Sequence, residues 1–193
     1  MSKREQLVGS NQFVIEHFFE RGLDQPCVDV RNGNNTIYTE DNVLYSYGPH
    51  FPLARWLGRT TMFLCCHNTT STTNRHRSDL HRVIQQHSSE GRHDVTWWLV
   101  DNVLANTPEA HLANLDDFRT RLLRCGGRHL RATKNTTYYE RHLSRLLCQR
   151  NDYSAWLRKF GVLPRTRQYK EAREPMCLRE CYMDVRPVRR SKA

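Results

Sequence analysis

Long hydrophobic runs, glycine-rich phosphate loops and internal repeats are all absent from this chain of 193 residues. No stretch of about 18 apolar residues occurs, which excludes a helix that spans a membrane. Neither a Ser nucleophile elbow nor a paired-carboxylate motif is present, so the enzyme classes that depend on those motifs are not indicated. Apolar residues make up only 38% of the sequence, which allows a modest core.

Paired cysteine spacings are also scarce. The seven cysteines are odd in number and include no Cys-x-x-Cys pair, and the polar N-terminus predicts no signal peptide. We therefore expect reduced thiols and an intracellular location. Cys65-Cys66-His67, taken with His76 or His81, lacks the spacing of a standard zinc finger, and Cys177 with Cys181 is a half-site without a second half. We expect no metal and no cofactor.

Positive charge is what the sequence has in excess, and its distribution is uneven. The net charge is +10. Residues 1–118 contain 10 Lys/Arg and 14 Asp/Glu, whereas residues 119–193 contain 20 Lys/Arg and 6 Asp/Glu. This asymmetry indicates a basic half that meets a polyanion, and nucleic acid, DNA or RNA, is the commonest polyanion inside cells. The alternative is a basic face that is merely solvated or that contacts an acidic protein.

Short alternating runs and turn signals predict an α+β fold. The runs between residues 27 and 66, with Asn32-Gly33 as a hairpin signal, predict a short antiparallel β-meander packed by helices. Caps and apolar spacing predict helices at residues 10–21, from Ser78, from Thr107 to the Gly126-Gly127 pair, at residues 138–150, and from Asn151. The fold would then combine the meander with a basic helical C-terminal half.

We expect three parts along the chain. Residues 1–105 would form the β-meander plus helix domain, and residues 106–163 a helical basic extension packed on it. Residues 164–193 would be a basic, partly disordered tail. The oligomeric state is not predicted.

One string resembles the signature of an uncharacterised domain family that is common in bacteriophage proteins. The string is Tyr45-Ser46-Tyr47-Gly48-Pro49-His50-Phe51-Pro52. In that family a hydrophobic strand, a Ser/Thr-rich segment ending Thr-Thr-x-x-His and a helix follow, and Thr72-Thr73-Asn74-Arg75-His76 is similar to that segment. The resemblance covers roughly residues 28–87 and implies a viral origin, a β-rich core with one helix, and a location in the host cytoplasm. It implies no activity.

Aromatic and basic side chains supply the candidate nucleic-acid contacts. Tyr45 and Tyr47, which alternation places on one strand face, could stack on unpaired bases, and His50 could meet a phosphate. Aromatic pairs on strands more often fill a core. A row of cations at three- or four-residue steps, from Arg121 to Lys134, and further cations outside it would contact phosphates without sequence choice. The predicted phosphate contacts are Arg75, Arg121, Arg124, Arg128, Arg131, Lys134, Arg141, Arg145, Arg165 and Arg167.

The leading interpretation is thus binding of nucleic acid, or of a host nucleic-acid machine, during phage infection. Two other functions remain open at this point. A metal-independent nuclease would use His50 and His76 as an acid/base pair beside one phosphate, with Tyr47 and Thr73 next to them. The competing interpretation of these histidines is structural hydrogen bonding. An interaction or inhibitor module would use the basic half to bind an acidic host protein.

Overall fold

The computed structural model describes residues 6–21, 29–67, 70–90 and 95–182. The chain divides into two compact units, Met1–Leu104 and Ala105–Ala193. The division into residues 1–105, 106–163 and 164–193 stays a prediction. None of the helices in the described ranges is long and apolar enough to cross a membrane.

The first unit is built on one seven-stranded sheet whose strands follow chain order. The strands are β1 (Gln6–Gly9), β2 (Asp29–Asn32), β3 (Ile37–Glu40), β4 (Val43–Ser46), β5 (Pro52–Gly58), β6 (Thr61–Cys65) and β7 (Thr96–Val100). Neighbours from β2 to β6 are antiparallel, whereas β1 pairs with β2 and β6 pairs with β7 in parallel. The α+β class is therefore confirmed, but the sheet is mixed and larger than the short antiparallel meander that we predicted.

Helical crossovers explain the two parallel edges, because parallel neighbours cannot be joined by a tight turn. Helix α1 (Asn11–Arg21) connects β1 to β2, and α2 (Ser71–Ser89) connects β6 to β7. Ser10 Oγ accepts from the Phe13 amide at 3.1 Å, as expected for the start of α1. Helix α2 begins before the predicted Ser78, because Thr70 Oγ1 accepts from the Thr73 amide and caps an earlier turn.

Apolar faces of both helices enclose the core of the first unit. Val14 and Phe18 of α1 and Leu80 and Ile84 of α2 are buried in one cluster with the inward side chains of the sheet. Trp56 belongs to the same cluster, and its indole Nε1 donates to the Phe18 carbonyl at 2.9 Å. Burial of these large side chains is the main term that stabilises the unit.

The second unit consists of two long helices and a short packed segment. Helices α3 (Pro108–Arg131) and α4 (Thr136–Lys159) are followed by α5 (Lys170–Arg173), with single 3-10 turns at Arg167–Tyr169 and Leu178–Tyr182. Thr107 caps α3 as predicted, but the helix does not stop at Gly126-Gly127. A Cβ at Gly126 would overlap the Cys181 carbonyl oxygen, so this glycine permits a close backbone approach.

The remainder of the second unit also differs from expectation. The two helices predicted at residues 138–150 and from Asn151 form the single helix α4, in which Asn151 bonds to the backbone of Met176. Tyr169 and Cys181 are buried within the predicted tail region. Residues 183–193 of that region lie outside the described residues.

Candidate nucleic-acid interface

The turn between α3 and α4 forms an open groove of about 450 Å³. Its walls include the end of α3, the start of α4 and three exposed cations from the predicted basic set. These cations are Arg128, Arg131 and Lys134. We call this feature the hairpin groove.

The start of α4 adds to the positive character of the hairpin groove. Asn135 at the N-cap has φ 59°, and its side chain makes no capping hydrogen bond. The unpaired amides of a helix N-terminus carry partial positive charge and favour anions. Asn135 and Tyr139 both line the groove, so an anion that lies there can approach cationic side chains and this helix end together.

Basic residues continue from the groove along both helices. Arg124, Arg128 and Arg131 recur at steps of four and three on α3, so they share one helical face. Arg141 and Arg145 do the same on α4, and all five side chains are exposed. Between residues 118 and 151 the sequence contains nine Lys/Arg and a single acid, Glu140.

Cations of both helices act on His142. Partial burial lowers the pKa of its imidazole, and the nearby charges of Arg145 on α4 and Arg121 on α3 lower it further. Arg121 makes two contacts within the protein through its guanidinium group. Its Nε lies 2.7 Å from Asp117 Oδ2, and its guanidinium lies 4.2 Å from the centre of the Phe118 ring. It is therefore less available to a ligand than the exposed arginines.

An exposed aromatic side chain lies beside these cations. Tyr138, in the first turn of α4, is 63% exposed. Its ring is stacked on His142, with centroids 6.1 Å apart and an interplanar angle of 7°, and it meets Tyr139 nearly edge-on. An exposed aromatic ring next to cations is an arrangement on which proteins that bind single-stranded nucleic acid stack bases.

Arg167 lies in a different environment from the groove cations. It lines a separate cavity of about 830 Å³ together with Asp116, Glu171 and Glu174. Acids in the lining of this cavity offset its positive charge, although Arg119, Arg150 and Lys170 line it too. Arg165 is exposed nearby in sequence. The predicted basic set in this unit is thus concentrated along α3 and α4, with Arg165 and Arg167 outside that concentration.

His76, predicted as one half of an acid/base pair, lies inside the first unit. It is fully buried, with Nδ1 2.9 Å from Ser46 Oγ and Nε2 3.1 Å from Asn11 Nδ2. Asn11 Oδ1 accepts from Asn32 Nδ2 at 2.7 Å, which turns the Asn11 amide nitrogen toward the ring. The imidazole is therefore neutral, with its proton on Nδ1 and donated to Ser46.

The chain of hydrogen bonds continues beyond Ser46. Its hydroxyl donates to Thr73 Oγ1 at 3.4 Å, and Thr70 Oγ1 donates to the same oxygen at 3.1 Å. Burial lowers the pKa of His76. Both ring nitrogens of His76 are engaged within the protein, so the geometry favours the structural interpretation of this histidine over a proton acceptor for a ligand.

The two tyrosines predicted to share a strand face are separated by the end of β4. Tyr45 is 9% exposed and stacks on Tyr38 with centroids 5.2 Å apart. Tyr47 lies beyond the strand, has φ 60° and is 44% exposed. Its ring lies over His76 at 6.0 Å. Of this pair, only Tyr47 is substantially exposed to solvent.

The other predicted contacts of the first unit are at its surface. His50 is exposed in the turn after β4, where its ring contacts Phe51 at a centroid distance of 4.9 Å. Arg75 is exposed on α2. The network around His76 contains Tyr47 and Thr73, the two residues named with it for a nuclease, and His50 is not among its hydrogen-bond partners.

Three further side chains come together at the ends of β6 and β7. The donor atoms of Cys66, His67 and Asp101 all lie within 4.8 Å of one another, and this is the one such group in the described ranges. His81, weighed as a ligand from the sequence, packs against Trp97 instead. Asp101 had no motif that could have marked it.

Comparisons with protein-family models, curated proteins and solved structures find no match to this chain. The interpretation of the hairpin groove consequently depends on its own geometry and charge. Sequence reasoning found its cations from their number and spacing, but it did not find the uncapped start of α4.

Proposed function

We propose that this protein binds nucleic acid through the hairpin groove and the exposed arginines of α3 and α4 that lie nearest to it, Arg124, Arg141 and Arg145. The observation that carries the proposal is the convergence of Arg128, Arg131 and Lys134 on one open groove at the start of α4. Cations grouped in this way displace condensed counterions from a phosphate backbone, and that release drives association.

The composition of the surface favours binding without strong sequence choice. Arginine and lysine contacts to phosphates position a nucleic acid but do not distinguish its bases. Tyr138 supplies the stacking surface, since any base can lie against an exposed aromatic ring. We therefore expect single strands to bind at least as well as a duplex of equal length.

Two double variants with the same loss of charge test the location of binding. Arg131→Gln/Lys134→Gln removes two cations from the groove, whereas Arg158→Gln/Lys159→Gln removes two exposed cations from the last turn of α4. The helix has 24 residues, so its ends are about 35 Å apart. Fluorescence anisotropy with a labelled oligonucleotide, as a single strand and as a duplex, would be measured over a salt series.

For the duplex, each lost phosphate contact should reduce the slope of log K against log salt by about 0.9. We expect the groove variant to lower the slope by roughly two such increments and the distal variant to change it little. Equal effects of the two variants would mean that only net charge matters and would contradict a groove site. A flat plot for the unmodified protein would exclude nucleic acid and favour the acidic host protein as partner.

We also propose a bacteriophage origin and a location in the host cytoplasm. They depend on the resemblance of residues 45–52 to a viral signature. The nuclease alternative is tested in the same experiment by following the length of the oligonucleotide, because His50→Ala should abolish any cleavage that uses the predicted pair.

A further inference from the structure

Sheet register brings three potential metal ligands to one edge of the first unit. β6 and β7 are parallel, with Cys65 opposite Val100, and the Cys66 amide donates to the Val100 carbonyl at 3.0 Å. Cys66 and His67 follow the end of β6, while Asp101 follows the end of β7. Since carboxyl ends of parallel strands meet at the same edge, these residues are adjacent although far apart in sequence.

The three side chains also point toward one another, beyond the proximity that the strand register alone imposes. The donor atoms of Cys66, His67 and Asp101 lie within 4.8 Å of one another, and His67 Nε2 is 2.7 Å from Asp101 Oδ1. The His67 and Asp101 side chains are 52% and 47% exposed, so an ion and its water can reach them. In a tetrahedral zinc site with ordinary bond lengths, ligand atoms lie roughly 3.3–3.7 Å apart. Small side-chain rotations therefore suffice to form the site.

We propose that Cys66, His67 and Asp101 bind Zn²⁺, with water as the fourth ligand. A thiolate, an imidazole and a carboxylate together suit zinc, whereas magnesium and calcium prefer sites made only of oxygen. On binding, the Cys66 thiol releases its proton. The proton on His67 Nε2, which faces Asp101 without metal, moves to Nδ1 so that Nε2 can donate its lone pair. Two anionic ligands then balance the charge of the ion.

The competing interpretation is a surface pair between His67 and Asp101 with an unrelated cysteine nearby. Exposed pairs of this kind are common and contribute little stability. Only the zinc interpretation requires all three side chains at once, including the thiolate. A probe that reports sulfur coordination directly can distinguish the two.

Titration of the full-length protein with Co²⁺ supplies that probe, because a thiolate ligand gives a charge-transfer band and a tetrahedral site gives intense visible bands. We expect saturation at one equivalent, loss of both bands on stoichiometric addition of Zn²⁺, and loss of the charge-transfer band in Cys66→Ser. Asp101→Asn should weaken zinc binding at least roughly tenfold. Cys65→Ser is the matched control, since this neighbouring cysteine is partly buried on β6 and is not in the cluster.

Three results would overturn the proposal. One is the absence of a charge-transfer band at one equivalent of Co²⁺. Another is a band that survives Cys66→Ser, which would place the metal at other thiols such as Cys177 and Cys181. The third is an equal loss in Cys65→Ser and Cys66→Ser. Circular dichroism of each variant confirms that folding is unchanged.

Discussion

His76 should make the protein sensitive to acid. Burial lowers the pKa of its imidazole in the folded protein, whereas an unfolded histidine titrates near about 6.5. Because the folded pKa is the lower one, the stabilising contribution of neutral His76 is complete above about pH 6.5 and is lost as the pH falls through the folded pKa. Protonation would also place an N–H on Nε2 against the amide nitrogen of Asn11, which now donates to it.

The size of the effect follows from the hydrogen bonds. His76→Ala removes the bonds to Ser46 Oγ and Asn11 Nδ2. A buried polar group that loses its partner costs about 1–3 kcal/mol, and Ser46 keeps only its longer contact with Thr73. Adding the lost ring packing, we expect a destabilisation of about 2–4 kcal/mol at neutral pH or above. His50→Ala, at an exposed position, should change stability by less than about 0.5 kcal/mol.

Urea unfolding of the unmodified protein and both variants, at about pH 8 and about pH 5, tests this reasoning. The unmodified protein should lose stability between the two conditions, and His76→Ala should lose less. His81 also has its pKa lowered by burial, so it contributes to acid sensitivity in every variant. The difference between unmodified protein and His76→Ala isolates His76. An equal loss in both would refute a neutral, network-bound His76.

Two further substitutions, one in each unit, test packing. Gly126→Ala would ordinarily stabilise a helix interior by about 1 kcal/mol. Here its methyl group would overlap the Cys181 carbonyl, so we expect a net loss of about 1–3 kcal/mol in thermal unfolding. Any gain in stability would show that the Cys181 backbone does not approach α3 closely. Trp56→Phe should cost about 1–3 kcal/mol in chemical denaturation because it removes the buried hydrogen bond to the Phe18 carbonyl and the volume of the larger ring. An unchanged midpoint would argue against that hydrogen bond.

Local signals were reliable where capping and apolar spacing agreed. Ser10 and Thr107 both begin helices in the predicted places. The two edge strands could not be predicted in this way. The parallel pairing of β1 with β2, and of β7 with β6, depends on contacts between segments distant in sequence. The same limit hid the proximity of Asp101 to Cys66, which only the register of β6 and β7 produces.

The hydrogen-bond partners of His76 could not be predicted from the sequence for a related reason. A buried histidine and an exposed one look alike in a sequence, and neither Asn11 nor Ser46 belongs to a motif that pairs with it. The positive φ of Tyr47 was likewise unexpected, since tyrosine rarely adopts it and alternation predicted a continued strand.

The continuity of α3 connects packing in the second unit with the proposed function. Had the helix ended at Gly126-Gly127, Arg124 would lie on a different element from Arg128 and Arg131. Helix α3 passes through Gly126 unbroken, and the absence of a side chain there admits the Cys181 backbone, so the arginines share one face up to the groove. Gly126, part of a glycine pair that predicted a helix stop, thus acts as a packing site inside α3.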